Sequence, residues 1–390
     1  MVGGDAPHAV RLAGPASSGK TTLALDLAAG LLCSDPDPAK RPCRHCRACR
    51  LVASGNHPDL HRLSPEGPGG QIRIGKPQDP EPGTVRSLIA ELALMSAEGG
   101  ARVALIEQAH RLNDDAQNAL LKLLEEPPGG VTIVLCADDE ECLLPTVRSR
   151  CARVRLGAVS GREIERWLGE LGMADAPAAA RFARLADGSP GLALAYARAP
   201  EAARLRDEIS RGLLDMIAAG RHERLGAVRA LMTSAGSLDA TLAEGRKEAG
   251  SAADGATAGA TRGGRRGKKA VASGEDEAAA EATAAVAPKA TASDRRAAAT
   301  TLLAIWASVA RDLAVAGLGG RRQLHCPDLV DELAAIAPTL APGVVAGFLE
   351  RLNRTSAQLD DNVNPELALD VLALAWPHPA ASPAHAAAPR

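Results

Sequence analysis

The chain has 390 residues, with 45 Lys and Arg against 47 Asp and Glu and a formal net charge of −2. That length accommodates two or three domains, each with its own core, and the near-zero charge excludes a protein that coats nucleic acid on electrostatics alone. Apolar residues make up 46% of the chain but aromatics only 2%, a balance that suits Ala- and Leu-rich helices better than sheets.

Residues 9–32 read as strand, loop and helix. The loop "GPASSGKT" (14–21) fits the phosphate-loop pattern G-x-x-x-x-G-K-[ST] without a mismatch. Its glycines let backbone N–H groups turn toward phosphate oxygens at a helix N-terminus. Gly14, Ser18, Gly19, Lys20, Thr21 and Thr22 are the candidate nucleotide contacts, with Lys20 reaching the β- and γ-phosphates and Thr21 ligating Mg²⁺. The plain alternative is a surface Gly/Ser loop with a stray lysine.

Residues 33–83 are rich in Cys, Pro, Gly and His and show little periodicity. Within them Cys33, Cys43, Cys46 and Cys49 form C-x₉-C-x₂-C-x₂-C. Four thiolates at this spacing suit a tetrahedral Zn²⁺ with no open position, hence a structural metal. His45 is a competing ligand, and free thiols are the alternative. Cys136, Cys142 and Cys326 stand alone and are expected to pack.

Residues 84–98 place Val85, Leu88, Ile89, Leu92 and Met95 at helical spacing. "RVALIE" (102–107) reads as a buried strand. "NDDAQNALLKLLEEPP" reads as a helix capped by Asn113 or Asp114 and stopped by Pro127 and Pro128, and "VTIVLCA" (131–137) as a second buried strand. This alternation implies a parallel sheet with helices on its faces. Hydrolysis of a nucleotide would need an acidic pair ending the 102–107 strand, one carboxylate for the Mg²⁺ shell and one to polarise water. Glu107 can serve the metal or stand as a solvated acid. Gln108 cannot act as a base, although a Gln can orient water, which weakens the case for turnover without closing it.

From residue 160 onward every pattern is helical. Residues 236–296 are low-complexity, with hardly any large apolar side chain, and cannot bury enough surface to offset their ordering entropy. The expected organisation is a phosphate-loop domain over 1–157, a small helical domain over 158–200, a helical domain over 201–378 interrupted by a disordered insertion at about 236–296, and an unstructured tail over 379–390. "RGGRRGKK" (262–269) suits a solvated linker or a contact to DNA or another acidic partner. Trp167, Trp306 and Trp376 are expected to fill the core. No uninterrupted apolar run has the length of a membrane span. "MVGGDAPHAV" lacks the design of a secretory signal, so the expected compartment is the cytosol.

The strings "EGGARVALIEQAHRLNDDAQNALLKLLEEPP" and "LLPTVRSRC" resemble bacterial clamp-loader subunits of the AAA+ class, strongly over residues 8–198 and more weakly through "NVNPELALDVLAL" (362–374). The resemblance implies an α/β fold: an AAA+ domain with a parallel sheet and a zinc module after the loop helix, then a helical lid and an all-α collar. It implies a place in a five-subunit ring fragment of the DNA polymerase III holoenzyme, beside gamma/tau and delta subunits, that opens the sliding clamp and loads it on primed DNA. Arg150 of the "SRC" string would then project into the ATP site of a gamma/tau neighbour, positioned by Ser149 and Cys151. A guanidinium supplied in trans neutralises charge on the γ-phosphate. Without the resemblance, Arg148 and Arg150 read as exposed strand-edge charges.

Four departures from an active ATPase of this class stand out. Gln108 replaces the water-activating Glu. Ala137 and Asp138 fall where Thr or Asn would sense the γ-phosphate. Gly191 falls where the lid carries an arginine. The chain starts eight residues before its first strand, so either the family's adenine-covering segment is missing or the start is misassigned. Together these imply a loop that holds ATP/Mg²⁺ poorly, if it holds it, and hydrolyses little or none. An ATP-hydrolysing gamma/tau-type motor is the alternative, favoured by the intact Lys20-Thr21. A zinc-dependent nucleic-acid module is disfavoured by neutral charge and few aromatics.

Overall fold

The computed structural model describes residues 7–65, 70–78, 81–98, 100–255, 291–320, 324–341, 343–360 and 363–379. Five parallel strands, β1 (Ala9–Ala13), β2 (Leu60–Leu63), β3 (Arg102–Ile106), β4 (Val131–Ala137) and β5 (Ala152–Arg155), lie in the order β2-β3-β4-β1-β5. Helices α1 (Lys20–Leu32), α2 (Arg47–Ala53), α3 (Val85–Ala93), α4 (Asp114–Glu125) and α5 (Pro145–Arg150) complete this layer. The inner strands read as near-continuous apolar runs because both of their faces are covered. One buried cluster lies on each side of the sheet: Leu120, Leu124, Ile106 and Leu135 on one, Ala24, Ala28, Leu12 and Leu105 on the other.

The sequence pattern locates β1, β3 and β4 but not the edges. "LHRL" and "ARVR" alternate over only four residues and carry no apolar run. Between the two candidate caps of α4, the structure selects Asn113, whose side chain accepts from the Ala116 N–H.

Beyond β5 the described chain is helical: α6 (Gly161–Glu170), α7 (Ala176–Leu185), α8 (Pro190–Arg198), α9 (Pro200–Ala218), α10 (Arg221–Gly255), α11 (Ala292–Gly317), α12 (Val330–Ile336), α13 (Val344–Asp360) and α14 (Pro365–Ala375), with short 3₁₀ turns around α12. One hydrophobic cluster runs through these helices from Ile164 to Trp376. Trp306, Phe348 and Trp376 form its aromatic centre, with ring centroids 4.6 to 5.5 Å apart, and Trp167 packs against its margin. By length and composition α11 is apolar enough to cross a membrane. Here Leu302, Ile305, Trp306, Val309 and Leu313 are buried and α9, α10, α13 and α14 surround it, which makes it the central helix of a protein core.

Both flanks of the stretch 236–296, expected to be disordered, are helical. Helix α10 continues to Gly255, with Ala235, Leu238 and Leu242 buried at helical spacing, and Thr291 opens α11 through a capping box with Asp294. Ala-rich low complexity is compatible with a helix because alanine has the highest helix propensity. Residues 256–290, including "RGGRRGKK", and 380–390 of the expected tail lie outside the described residues.

Candidate functional site

The phosphate loop leaves β1 where β4 and β5 flank it. The Gly14 N–H donates to the Ala137 carbonyl at 3.2 Å, and a Cβ on Gly14 would lie 2.3 Å from the Leu156 carbonyl oxygen. Only glycine lets the chain exit there. Ser17 and Gly19 take positive φ values of 59° and 90°, the turn that makes Lys20 the first residue of α1. Ser18 and Lys20 are buried, Thr21 is half-buried and Thr22 is exposed.

Lys20 is fully occupied by its own chain. Its Nζ donates to the carbonyls of Gly14 (2.8 Å) and Pro15 (2.6 Å) and pairs with Asp138 Oδ1 at 2.6 Å. Asp138 follows β4 directly. Its backbone N–H donates to His110 Nδ1 at 3.1 Å. Burial, helped by Arg111 and Lys20 and opposed by Asp138, holds the His110 pKa below its ordinary value. The ring is therefore neutral at pH 7, as an accepting Nδ1 requires.

The strand-end acid is also paired. Glu107 Oε1 accepts from Arg62 Nε at 2.9 Å and Nη2 at 2.5 Å. Arg62 comes from β2, the edge strand that the sequence pattern hides, so this partner was not foreseen. Gln108 starts a 3₁₀ turn with a φ of 50°. A triphosphate entering this loop must displace Asp138 from Lys20, and Mg²⁺ must compete with Arg62 for Glu107.

The lid unit closes on the same loop. The Gly191 N–H donates to the Ser17 carbonyl at 3.0 Å and Ser189 Oγ to the Ala16 carbonyl at 3.2 Å. A Cβ on Gly191 would lie 2.9 Å from the Ser17 carbonyl oxygen. Where the resemblance sets an arginine, the backbone of α8 sits directly on the loop and leaves little room for a side chain.

Arg150 lies elsewhere, at the end of α5 rather than on a strand edge. Buried Gln117 ties α5 to α4: it accepts from the Leu144 N–H at 2.7 Å and donates to the carbonyls of Leu112 and Cys142, each at 3.1 Å. Arg150 Nε donates to Glu125 Oε1 at 2.8 Å, Nη2 reaches the same oxygen, and Nη1 donates to the Thr146 carbonyl at 2.9 Å. Ser149 Oγ accepts from Arg150 Nη1 at 3.5 Å and itself donates to the Thr146 carbonyl. Glu125 and Thr146 make the closer contacts to the guanidinium, and Cys151 is buried. The acidic doublet before Pro127 was the one sequence signal for this partner.

The four cysteines converge as their spacing predicts. Their Sγ atoms all lie within 4.8 Å of one another, with Cys33–Cys46 and Cys43–Cys49 each at 4.0 Å. A tetrahedral zinc with ~2.3 Å bonds places sulfurs about 3.8 Å apart, so the donor set fits that ion. The Cys49 N–H donates to Cys46 Sγ at 3.4 Å and the Cys43 N–H to Cys33 Sγ at 3.5 Å. Against the opposing effect of burial, backbone N–H groups of Cys49 and Ser34 bring the Cys46 thiol down to about 6. Burial, together with the neighbouring sulfurs, pushes Cys49 up to about 12. His45 is exposed and its Nδ1 lies 2.7 Å from the Cys43 carbonyl oxygen. Of the isolated cysteines, Cys136 and Cys326 are buried as expected, whereas Cys142 is exposed.

A parallel sheet in this order, a phosphate loop between its first strand and first helix, and a helical unit seated on that loop define a phosphate-loop α/β fold. Residues 3–160 match the family model described as DNA polymerase III, delta subunit. The chain is 38% identical over 194 residues to DNA polymerase III subunit delta' of Pseudomonas aeruginosa, covering 49% of this chain and 56% of that protein. It is 36% identical over 192 residues to the delta' subunit of Escherichia coli, covering 49% and 55%. Similarity extends to subunit tau of Salmonella typhimurium, at 34% over 187 residues, covering 47% of this chain and 27% of that protein. Over this region the chain is similar in sequence to the delta' and tau subunits of DNA polymerase III. It spans about half the length of the delta' relatives it matches.

Proposed function

We propose that this chain acts in DNA replication as the clamp-loader member that lends an arginine and hydrolyses little or no ATP itself. Its partners on this reading are gamma/tau and delta subunits, with the sliding clamp and primed DNA engaged through the complex in the cytosol. Arg150 is the residue offered in trans, and Cys33, Cys43, Cys46 and Cys49 hold a structural Zn²⁺ that stiffens the loop after α1. The observation that carries the reading is internal neutralisation of the phosphate loop: Lys20 with Asp138 and Glu107 with Arg62. A loop whose cation and acid already have partners, and against which the lid sets Gly191, is suited to holding shape.

The alternative is a motor of the gamma/tau type, which the similarity to tau supports. ATP binding and turnover of the isolated chain, then of its complex with the partner ATPase and clamp, separate the two. Negligible turnover alone, with stimulated turnover in the complex that survives Lys20→Ala, supports the proposal. Steady turnover alone that vanishes in Lys20→Ala supports the motor.

A further inference from the structure

The Arg150 guanidinium is divided between two uses. Nε and Nη2, its side-on edge, go to Glu125 Oε1, and Nη1 turns to its own helix, donating to the Thr146 carbonyl at 2.9 Å and more distantly to Ser149 Oγ at 3.5 Å. A guanidinium has five N–H groups in a planar fork. With the side-on edge held by Glu125, the end-on pair, one proton on Nη1 and one on Nη2, faces away from that carboxylate. That pair is a fork of the kind that meets two phosphate oxygens at once.

We propose that Glu125 is the positioning residue for Arg150, holding the guanidinium plane so that its end-on fork is presented to the terminal phosphate of a nucleoside triphosphate on a neighbouring subunit. This rests on the reading of Arg150 as a residue acting in trans. The two partners are carried on elements that are locked together. Glu125 is the last residue of α4, anchored by buried Leu120, Leu123 and Leu124 and followed by Pro127 and Pro128. Arg150 ends α5, whose start is fastened to α4 through Gln117. The pair is also exposed, with side chains 50% and 35% accessible. Exposed ion pairs contribute little to folding, so what this one supplies is orientation. A long side chain ordered before docking loses less freedom when it meets its ligand, and charge placed in advance needs no reorganisation during reaction.

The test uses the full-length chain assembled with its phosphate-loop partner subunits and the clamp, measuring clamp-stimulated ATP turnover. Glu125→Ala should lower kcat roughly tenfold, within the range that misplacing a catalytic group produces, with KM for ATP little changed. Glu125→Gln should recover much of the rate, because its carbonyl oxygen still accepts from Nε and Nη2. Glu125→Ala combined with Arg150→Ala should be no slower than Arg150→Ala alone. A slow Arg150→Ala beside a wild-type or faster Glu125→Ala overturns the positioning role and leaves the arginine's role standing. A Glu125→Ala loss that persists on top of Arg150→Ala overturns it too, as a structural effect. A silent Arg150→Ala overturns both.

Discussion

A phosphate-loop lysine is kept cationic for an anion, and in this chain the anion is already present in Asp138, 2.6 Å from Lys20 Nζ. Unit charges ~4 Å apart near a protein surface attract by about 4 kcal/mol and this pair is closer, while an entering phosphate also meets the carboxylate's repulsion. Asp138→Asn removes both obstacles while keeping the shape. We expect it to bind a fluorescent ATP analogue roughly tenfold or more tightly than wild type, since a tenfold change needs only about 1.4 kcal/mol. Unchanged affinity would show that another feature, such as the lid backbone at Ser17, sets the barrier. Arg150 answers to a different measurement, because its ligand belongs to another chain. Arg150→Ala should leave the melting temperature of the isolated protein within a degree or two, as surface substitutions generally do. Turnover at the one partner site it serves should fall by ~10³, with a smaller fall in the total from the assembled ring. Arg150→Lys should not rescue it, since an ammonium lacks the planar fork.

Among the elements, the segment between α3 and β3 depends on a single carboxylate. Asp59 is buried and accepts from the N–H groups of Ala97 (2.7 Å) and Glu98 (3.1 Å) and from Ser96 Oγ (3.1 Å). Burial favours its neutral form, but these hydrogen bonds outweigh it and hold the pKa below the ordinary carboxylate value. A depressed folded pKa means the stabilisation is complete above the unfolded pKa near 3.9 and is lost as pH falls through the lower folded value. Asp59→Ala should therefore cost about 2–4 kcal/mol at pH 7 by removing three hydrogen bonds to a charged group. The difference from wild type should shrink toward pH 2–3 in urea titrations, and a pH-independent difference would contradict this account. The cysteine module makes a second element-scale test. Cys46→Ser should abolish tight zinc retention and destabilise the module, because a structural metal's binding energy is folding energy. Metal analysis of wild-type protein purified without chelators should find one zinc per chain.

At the scale of the whole molecule, one buried cation closes the helical half. Arg224 is 0% exposed. It donates to the carbonyls of Ile217 and Ala219 at the end of α9 and to those of Ala373, Trp376 and Pro377 around the end of α14. Carbonyls at a helix C-terminus lack onward helical partners, although Ala373 also accepts from the Trp376 N–H, and a cation suits the negative ends of both helices. Arg224→Met keeps the bulk but strands the acceptors. We expect a loss of about 3 kcal/mol or more, at 1–3 kcal/mol per unsatisfied buried group. Because Trp167, Trp306 and Trp376 all lie in the helical half, tryptophan fluorescence reports on it directly, and the urea midpoint by that probe should fall. An unmoved midpoint would mean that water replaces the arginine without cost.

The elements most legible in the sequence were those whose information is local. The phosphate loop shows itself through glycine spacing, β3 and β4 through apolar runs, α4 through its cap and prolines, and the cysteine module through ligand spacing. Each of these is a constraint within a few consecutive residues, set by backbone sterics, burial period or coordination geometry. The partners of the charged groups were a different matter. Asp138 on Lys20, Arg62 on Glu107, Glu125 on Arg150 and Arg224 on the end of α14 are separated along the chain by between 25 and 153 residues. No local pattern encodes which carboxylate meets which cation, because that pairing depends on strand order and helix packing. The sequence alone therefore determined that this chain has a phosphate loop, a thiolate cluster and an arginine in a clamp-loader string. Only the tertiary structure decided that the loop's charges are spent internally and that the arginine's is held in place, since a Coulomb interaction acts through distance in space and not through position in the chain.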